Sequence, residues 1–383
     1  MFIPNSQYPA LAPDSVPEEV SEQDEAIFWR INSTVLTAGQ EHQVCVPQTV
    51  YPRQREVLAV HWHPEFVPID LAITRLQTMF PNREQELIIP TQHNVLLSHA
   101  GYAGVEVDCY SRCFNQKVQL LLHLTQEKGD QAGVLQSMLE HTRQYRATQL
   151  LDFINTFTQP VQEPLEAAAR VTGADDDLIR FISVYVRKLD SLLQKYIGEL
   201  PLNVVKNKMV RNFFHALRPF HGHQLIDRAL NFLQEVKREV KRQFPLQYFF
   251  RTSEVIEEAR GLGAGIVVPH PEQFWPILLA EYDVDGYEVW NPQSLRYTDF
   301  LISVVIKKNK ERSVSRAPLL IFMGDDTHMG EKVRDETETD PSKADREIGY
   351  QPAWDDWEVR KHLLRNGNSR REVIAEYKAR LQG

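Results

Sequence analysis

The 383-residue chain has no run of about twenty apolar residues, the length a membrane-spanning helix needs, so no membrane span is expected. It holds only three cysteines, Cys45, Cys109 and Cys113. That is too few for a disulfide framework, and the reducing cytoplasm is the expected compartment. Cys109 and Cys113, in "CYSRC", have no thiol or histidine partners close in sequence, so they read as ordinary half-buried residues rather than as a soft-metal site. The opening "MFIPNSQYPALAPDSVPEEV" lacks the basic start and apolar run of a signal peptide, and none is expected. Basic excess is also missing. Lys and Arg number 43 against 52 Asp and Glu, a net charge of -9, which disfavours a surface built to grip long nucleic acid. A short positive channel for a single strand stays open.

Several catalytic signatures are absent. There is no G-x-S-x-G elbow, no phosphate-binding G-x-x-x-x-G-K-[ST], and no G-x-G-x-x-G after a strand. "GLGAG" precedes a strand rather than a helix and reads as a turn.

What the chain does have is ordinary globular composition, 42% hydrophobic and 25% charged, and a clear change of rhythm. Residues 1–54 read as an extended arm and lead-in rich in Pro, Ser and acid. Over 55–129, "REVLAVHWH", "ELIIPTQH", "YAGVEVDCY" and "KVQLLLHL" read as strands and "PIDLAITRLQTMF" as a helix. Residues 130–261 are helical in period throughout, with "TQP", "TGADDD" and "ELPLN" as breaks. The α/β rhythm returns over 262–332. Residues 333–383 are a polar loop and one or two surface helices. The pattern predicts an α/β domain with a parallel sheet, interrupted by a helical insertion that shapes access to the site. In the insertion, Lys206, Lys208, Arg211 and Arg218 could meet phosphate, but a solvated helix face is the plainer reading, and His221 and His223 read as a cap region.

The ends of the strand-like runs carry metal-ligand residue types. "VLAVHWH" ends in His61 and His63, which a strand points to one face. "LIIPTQH" ends in His93, "GIVVPH" in His270, and "LLIFMGDDTH" in Asp325, Asp326 and His328. "GYEVW" carries Glu288, and "GVEV" carries Glu106. Each alone has a bland reading as a capped or solvated polar residue. Their coincidence at strand ends, where parallel α/β folds gather active groups, points to a nitrogen-and-oxygen set suited to Zn, Mn or Fe.

That ordered set resembles the polymerase-and-histidinol-phosphatase (PHP) domain superfamily, over about residues 56–124 and 262–330. The carriers are His61-Trp62-His63, "TQHN" with His93, "GVEV" with Glu106, "PHPEQF" with His270, and Asp326-Thr327-His328; "GYEVWN" looks like the family's strand before its final helix. The resemblance implies a distorted parallel β/α barrel of PHP type and two or three divalent metal ions. Glu106 would bridge two of them. His61, His63 and Asp326 would hold one side, and His93, His270 and His328 the others, with Glu106, Asp326 and His328 nearest the chemistry. It implies hydrolysis of a phosphate ester, on a small phosphorylated metabolite or a nucleotide.

The sequence departs from the family in places. Glu65 and Asp70 follow the H-x-H, neither at the family's spacing; Gln92 stands where an acid commonly precedes the second histidine; Gln119 falls where a further histidine is aligned, with His123 nearby. Two ions are therefore the minimum expected. A metallo-amidohydrolase also opens on H-x-H, but typically has a lysine or carboxylated bridge and ends in a lone aspartate. A degenerate barrel working as a binding protein through its helical insertion is the third reading.

Overall fold

The computed structural model describes residues 16–159, 161–201, 204–313, 316–334 and 341–383. The chain divides into two compact units. One is α/β, Leu36–Arg143 with Leu246–Gly383; the other is helical, Gln144–Pro245 with the described part of Met1–Val35.

The strands of the α/β unit are β1 (Glu56–Ala59), β2 (Trp62–His63), β3 (Gln85–Ile88), β4 (Gln92–His93), β5 (Leu97–His99), β6 (Tyr102–Ser111), β7 (Gln116–Thr125), β8 (Gly265–Val268), β9 (Gly286–Trp290), β10 (Leu320–Met323) and β11 (Thr327–His328). The largest sheet runs β10-β9-β8-β7-β6-β4, with β5 also on β6. Two separate parallel pairs are β1–β3 and β2–β11. β8 and β10 are buried along their whole length, as strands covered on both faces are, which explains their continuous apolar runs. The core joins Leu58, Val105, Leu120, Leu122, Ile266 and Phe322. Gly104 in β6 has a packing reason, because a Cβ there would meet the carbonyl of Pro90 and the side chain of Ile89.

The expected α/β class is observed, and the expected parallel sheet is corrected to a mixed one. Among the described residues the ladders make three sheets and no closed barrel. β5–β6, β6–β7 and β7–β8 are antiparallel. For β6 and β7 the physical reason is connection length. β6 and β7 are joined by a turn at 112–115, far too short for the crossover a parallel pair requires.

Three other expectations change. The arm contains the helix Glu22–Asn32, started by a capping box between Ser21 and Asp24 and anchored by buried Ile27 and Phe28; residues 1–15 lie outside the described residues. The tail is not a surface feature: the helix Arg370–Gln382 buries Val373, Ile374, Tyr377 and Leu381 in the α/β core. Of the polar loop, 335–340 lie outside the described residues. The helix Thr252–Gly261 and the first part of Gly133–Thr158 fall in the α/β unit, so the helical unit is shorter than 130–261. Helical period shows that a face is apolar, but not which core it meets.

The helical unit has its own core, including Phe181, Phe213, Phe214 and Phe232. Buried Lys188 pairs with Asp24 at 2.8 Å, and the Tyr185 hydroxyl meets His221 Nε2 at 2.6 Å. His221 thus serves the packing of this unit. Arg218 pairs with Asp227 at 2.6 Å.

Candidate metal centre

Backbone pairing assembles the site. His63 on β2 lies opposite His328 on β11, and His93 on β4 lies opposite Glu106 on β6. The N–H of Asp326 donates to the carbonyl of His61 at 2.9 Å. His270 follows β8. Residues from five separate stretches of chain are thereby brought to one place. His270 (φ 28°) and Asp326 (φ 46°) sit in the left-handed region, as do Glu65 (φ 56°) beside His63 and Asn94 (φ 55°) beside His93. Such backbone costs about 1–3 kcal/mol per residue and gathers where a site holds it in place.

All seven residues singled out as ligands come together. Their ligand atoms form three trios, each within 4.8 Å: His61, His63 and Asp326; His61, Glu106 and His270; His63, His93 and His328. Asp326 Oδ1 stands 3.6 Å from His61 Nε2, 3.4 Å from His63 Nε2 and 3.5 Å from His328 Nε2. Glu106 Oε1 is 3.4 Å from His270 Nε2, its Oε2 is 3.6 Å from His63 Nε2, and His93 Nδ1 contacts Oε2 directly. His61 and His63 each belong to two trios, whereas one imidazole nitrogen binds one ion. Three ions are therefore the ceiling for this set.

The electrostatics suit cations. Burial opposes ionisation of Glu106, but His93, His270 and His63 overcome it and hold its carboxyl well below the usual range. Burial likewise opposes charge on Asp326, and His328, His63 and His61 hold it low. Burial, with His93 and His328 beside it, pulls His63 down to about 3, so its ring is neutral and its lone pair is available. Burial works against charge on His61 too, yet Glu288, then Asp326 and Glu106, push it up to about 10. Buried His61 Nε2, both nitrogens of His63 and both oxygens of Glu106 have no hydrogen-bond partner. Buried polar atoms left so are costly, and divalent ions would satisfy His61 Nε2, one nitrogen of His63 and the Glu106 carboxylate. The donor set, imidazole and carboxylate without thiolate, fits Zn, Mn or Fe.

A second layer braces the candidate ligands. Glu288 Oε1 lies 2.6 Å from His61 Nδ1, and its Oε2 accepts the backbone N–H of His270 at 3.0 Å. Gly324 must be glycine here, because a Cβ would run into the Glu288 carboxylate. Asp326 Oδ2 accepts from Arg346 at 2.7 Å and from Gln293 at 2.9 Å, which leaves Oδ1 to the histidines. Asp325 is a strut, accepting from the N–H groups of Thr327 and Gly349. The sequence pointed to Glu288 but not to its role. Arg346 and Gln293 were missed, since one lies in a polar loop and the other after a strand, with no motif around either.

Glu65 Oε1 stands 3.4 Å from His328 Nδ1, on the far side of that ring from Asp326. Asp70 is exposed in the first turn of the helix Ile69–Met79. His123 is fully engaged elsewhere: Nε2 donates to the Val60 carbonyl at 2.9 Å, and Nδ1 accepts from the Tyr377 hydroxyl at 2.7 Å. Gln92 accepts the backbone N–H of Glu65, and Gln119 pairs with Asp108 across β6–β7. The three cysteines are unbonded to one another and absent from the cluster. Among the described residues no helix is long and apolar enough to cross a membrane.

No family model matches the chain, and no curated protein matches it. Among solved structures, it is similar to a crystal structure from Bifidobacterium adolescentis provisionally named a metal-dependent phosphoesterase. Identity is 16% and the TM-score 0.44, with 82% of this chain and 98% of that chain covered. A likeness of that degree carries no functional argument, so function is read from the cluster itself.

Proposed function

We propose that the chain is a metal-dependent phosphoesterase of the PHP type, acting on a small phosphorylated metabolite or a nucleotide. The observation that carries this reading is the convergence of His61, His63, His93, Glu106, His270, Asp326 and His328 into overlapping ligand trios around an ionised, buried carboxylate. Their order along the chain is that of the PHP motifs. Pairing of β1 with β3 and of β2 with β11 supports a distorted barrel, since the chain continues from β3 into β4 and from β10 into β11.

His61, His63 and Asp326 would hold one divalent ion; Glu106, His93, His270 and His328 would hold one or two more, with Glu106 shared. Ions so held would supply Lewis acidity toward a phosphoryl oxygen and a nucleophilic water at neutral pH. The protein's own part is positioning. Glu288 fixes the ring of His61, Arg346 and Gln293 fix Asp326, and Glu106 stays ionised at the centre. The net charge of -9 favours a small substrate over a long polynucleotide.

The test is turnover of p-nitrophenyl phosphate, its bis-ester and a panel of amides by the purified chain. The proposal expects phosphate-ester cleavage that a chelator abolishes and Mn or Zn restores. Cleavage of amides alone would favour the amidohydrolase reading. No turnover with no metal uptake would favour a binding protein.

A further inference from the structure

A cavity of ≈ 230 Å³ lies in the α/β unit between the start of β1 and the C-terminal helices, lined by Glu56, Trp354, Asp355, Arg360, Arg370 and Arg371 among others. It shares no residue with the metal cluster. Glu56 opens β1 and His61 comes five residues later, so at a strand's rise the two are separated by up to about 17 Å. The volume is several times the share of about 30 Å³ that one water takes in the liquid.

Two of its lining side chains carry a buried donor with nothing to donate to. Arg370 is 7% exposed and Trp354 5% exposed. Arg370 Nε and Trp354 Nε1 both lack a hydrogen-bond partner. The rest of the Arg370 guanidinium is tied down: Nη1 donates to the Glu56 carbonyl at 3.0 Å, and Nη2 to the Gln351 carbonyl at 3.4 Å and Asp355 at 3.3 Å. It also lies 5.9 Å from the centre of the Trp354 ring. An orphaned buried donor costs about 1–3 kcal/mol, more for a charged group. Both nitrogens are closed off from the cavity space, so a ligand there would be recognised first by the charge of the walls and would meet these donors only after a side-chain shift.

The charge on the walls says which kind. Three guanidinium groups, of Arg360, Arg370 and Arg371, face two carboxylates, of Glu56 and Asp355. Both carboxylates are already engaged, Glu56 by Arg371 at 2.8 Å and Asp355 by Arg370 at 3.3 Å. The walls therefore keep an excess of positive charge, beside the apolar surface of Leu363 and the Trp354 ring. We propose that this cavity is a second ligand site, separate from the metal centre, for a small molecule bearing an oxyanion, either a phosphate or a carboxylate.

The test is isothermal titration calorimetry on the full chain, with inorganic phosphate in one arm and citrate in the other. It is run on chelator-treated wild type and on the His61→Ala, His63→Ala variant, so that the metal centre contributes nothing. Saturable binding in both proteins is expected, and the arm that binds names the oxyanion. Arg360→Ala with Arg371→Ala should weaken it by at least about tenfold, the equivalent of about 1.4 kcal/mol. Both arginines are on the rim, so thermal unfolding should remain cooperative; Trp354→Phe, which removes the indole N–H together with part of the ring that lines the cavity, should weaken binding several-fold. No saturable heat in either arm, or affinity unchanged in both the arginine and the Trp354→Phe variants, overturns the proposal and leaves a water-filled cavity.

Discussion

The carboxylate of Glu288 holds the Nδ1 of His61 at 2.6 Å and, through its other oxygen, the backbone N–H of His270 at 3.0 Å. One side chain thus orients two of the seven proposed ligands, and it leaves His61 Nε2 facing Asp326 and Glu106. Glu288→Gln keeps the size and one acceptor but removes the charge. Metal affinity should fall roughly 10–100-fold, as when a partner behind a ligating histidine is lost. Competition with a chromophoric chelator measures it, and an unchanged affinity would show that Glu288 serves packing alone.

Glu106 is the carboxylate common to the contacts of His63, His93 and His270. Glu106→Gln should lose at least one ion per chain and lower phosphate-ester turnover by more than about 100-fold, beyond the effect of removing an orienting neighbour. Elemental analysis and steady-state rates on the same sample decide it, with far-UV circular dichroism to confirm the fold.

His123 gives a pH dependence with a definite sign. Burial pulls its folded value down to about 3, against an ordinary value of about 6.5 in the unfolded chain. Between those values the unfolded chain holds a proton that the folded chain does not. The contribution of this group to stability is therefore complete above about pH 6.5 and is lost as pH falls, by up to ~1.4 kcal/mol per pH unit. Urea unfolding from pH 7 down to 5 should show a shallower slope in His123→Gln than in wild type. Equal slopes would contradict the assignment.

In the helical unit, Lys188 and Asp24 form a buried pair, with side chains 3% and 5% exposed. Breaking such a pair from one side strands a charge and costs about 3–5 kcal/mol. Asp24→Asn should lower the stability of the helical unit by that order, while the double change Asp24→Asn, Lys188→Met should recover much of it. Denaturant unfolding of the three proteins reads this out, and a double variant no better than the single one would contradict the stranded-charge account.

The site was more legible in the sequence than the sheet that carries it. Six of the seven residues taken as ligands lie within two residues of a strand end, and Glu106 lies inside β6; residue type and order can be read along the chain, and the structure brings all seven together. What was not legible depends on contacts distant in sequence. Arg346 reaches Asp326 from a polar loop, and nothing local marks it as different from its neighbours. His123 looked like a spare ligand because its partners, Val60 and Tyr377, lie 63 and 254 residues away. The helix carrying Tyr377 read as surface for the same reason. Strand direction failed differently: an apolar run of β7 type reads alike in parallel and antiparallel pairings, and only the short turn before it decides.

The central claim is that this cluster binds metal, and elemental analysis of the purified chain beside its His61→Ala, His63→Ala variant tests it most directly. Two or three ions of Zn, Mn or Fe per wild-type chain, with at least one fewer in the variant, is the predicted result. A folded wild-type chain that carries no such ion and takes up neither Mn nor Zn when they are supplied would contradict it.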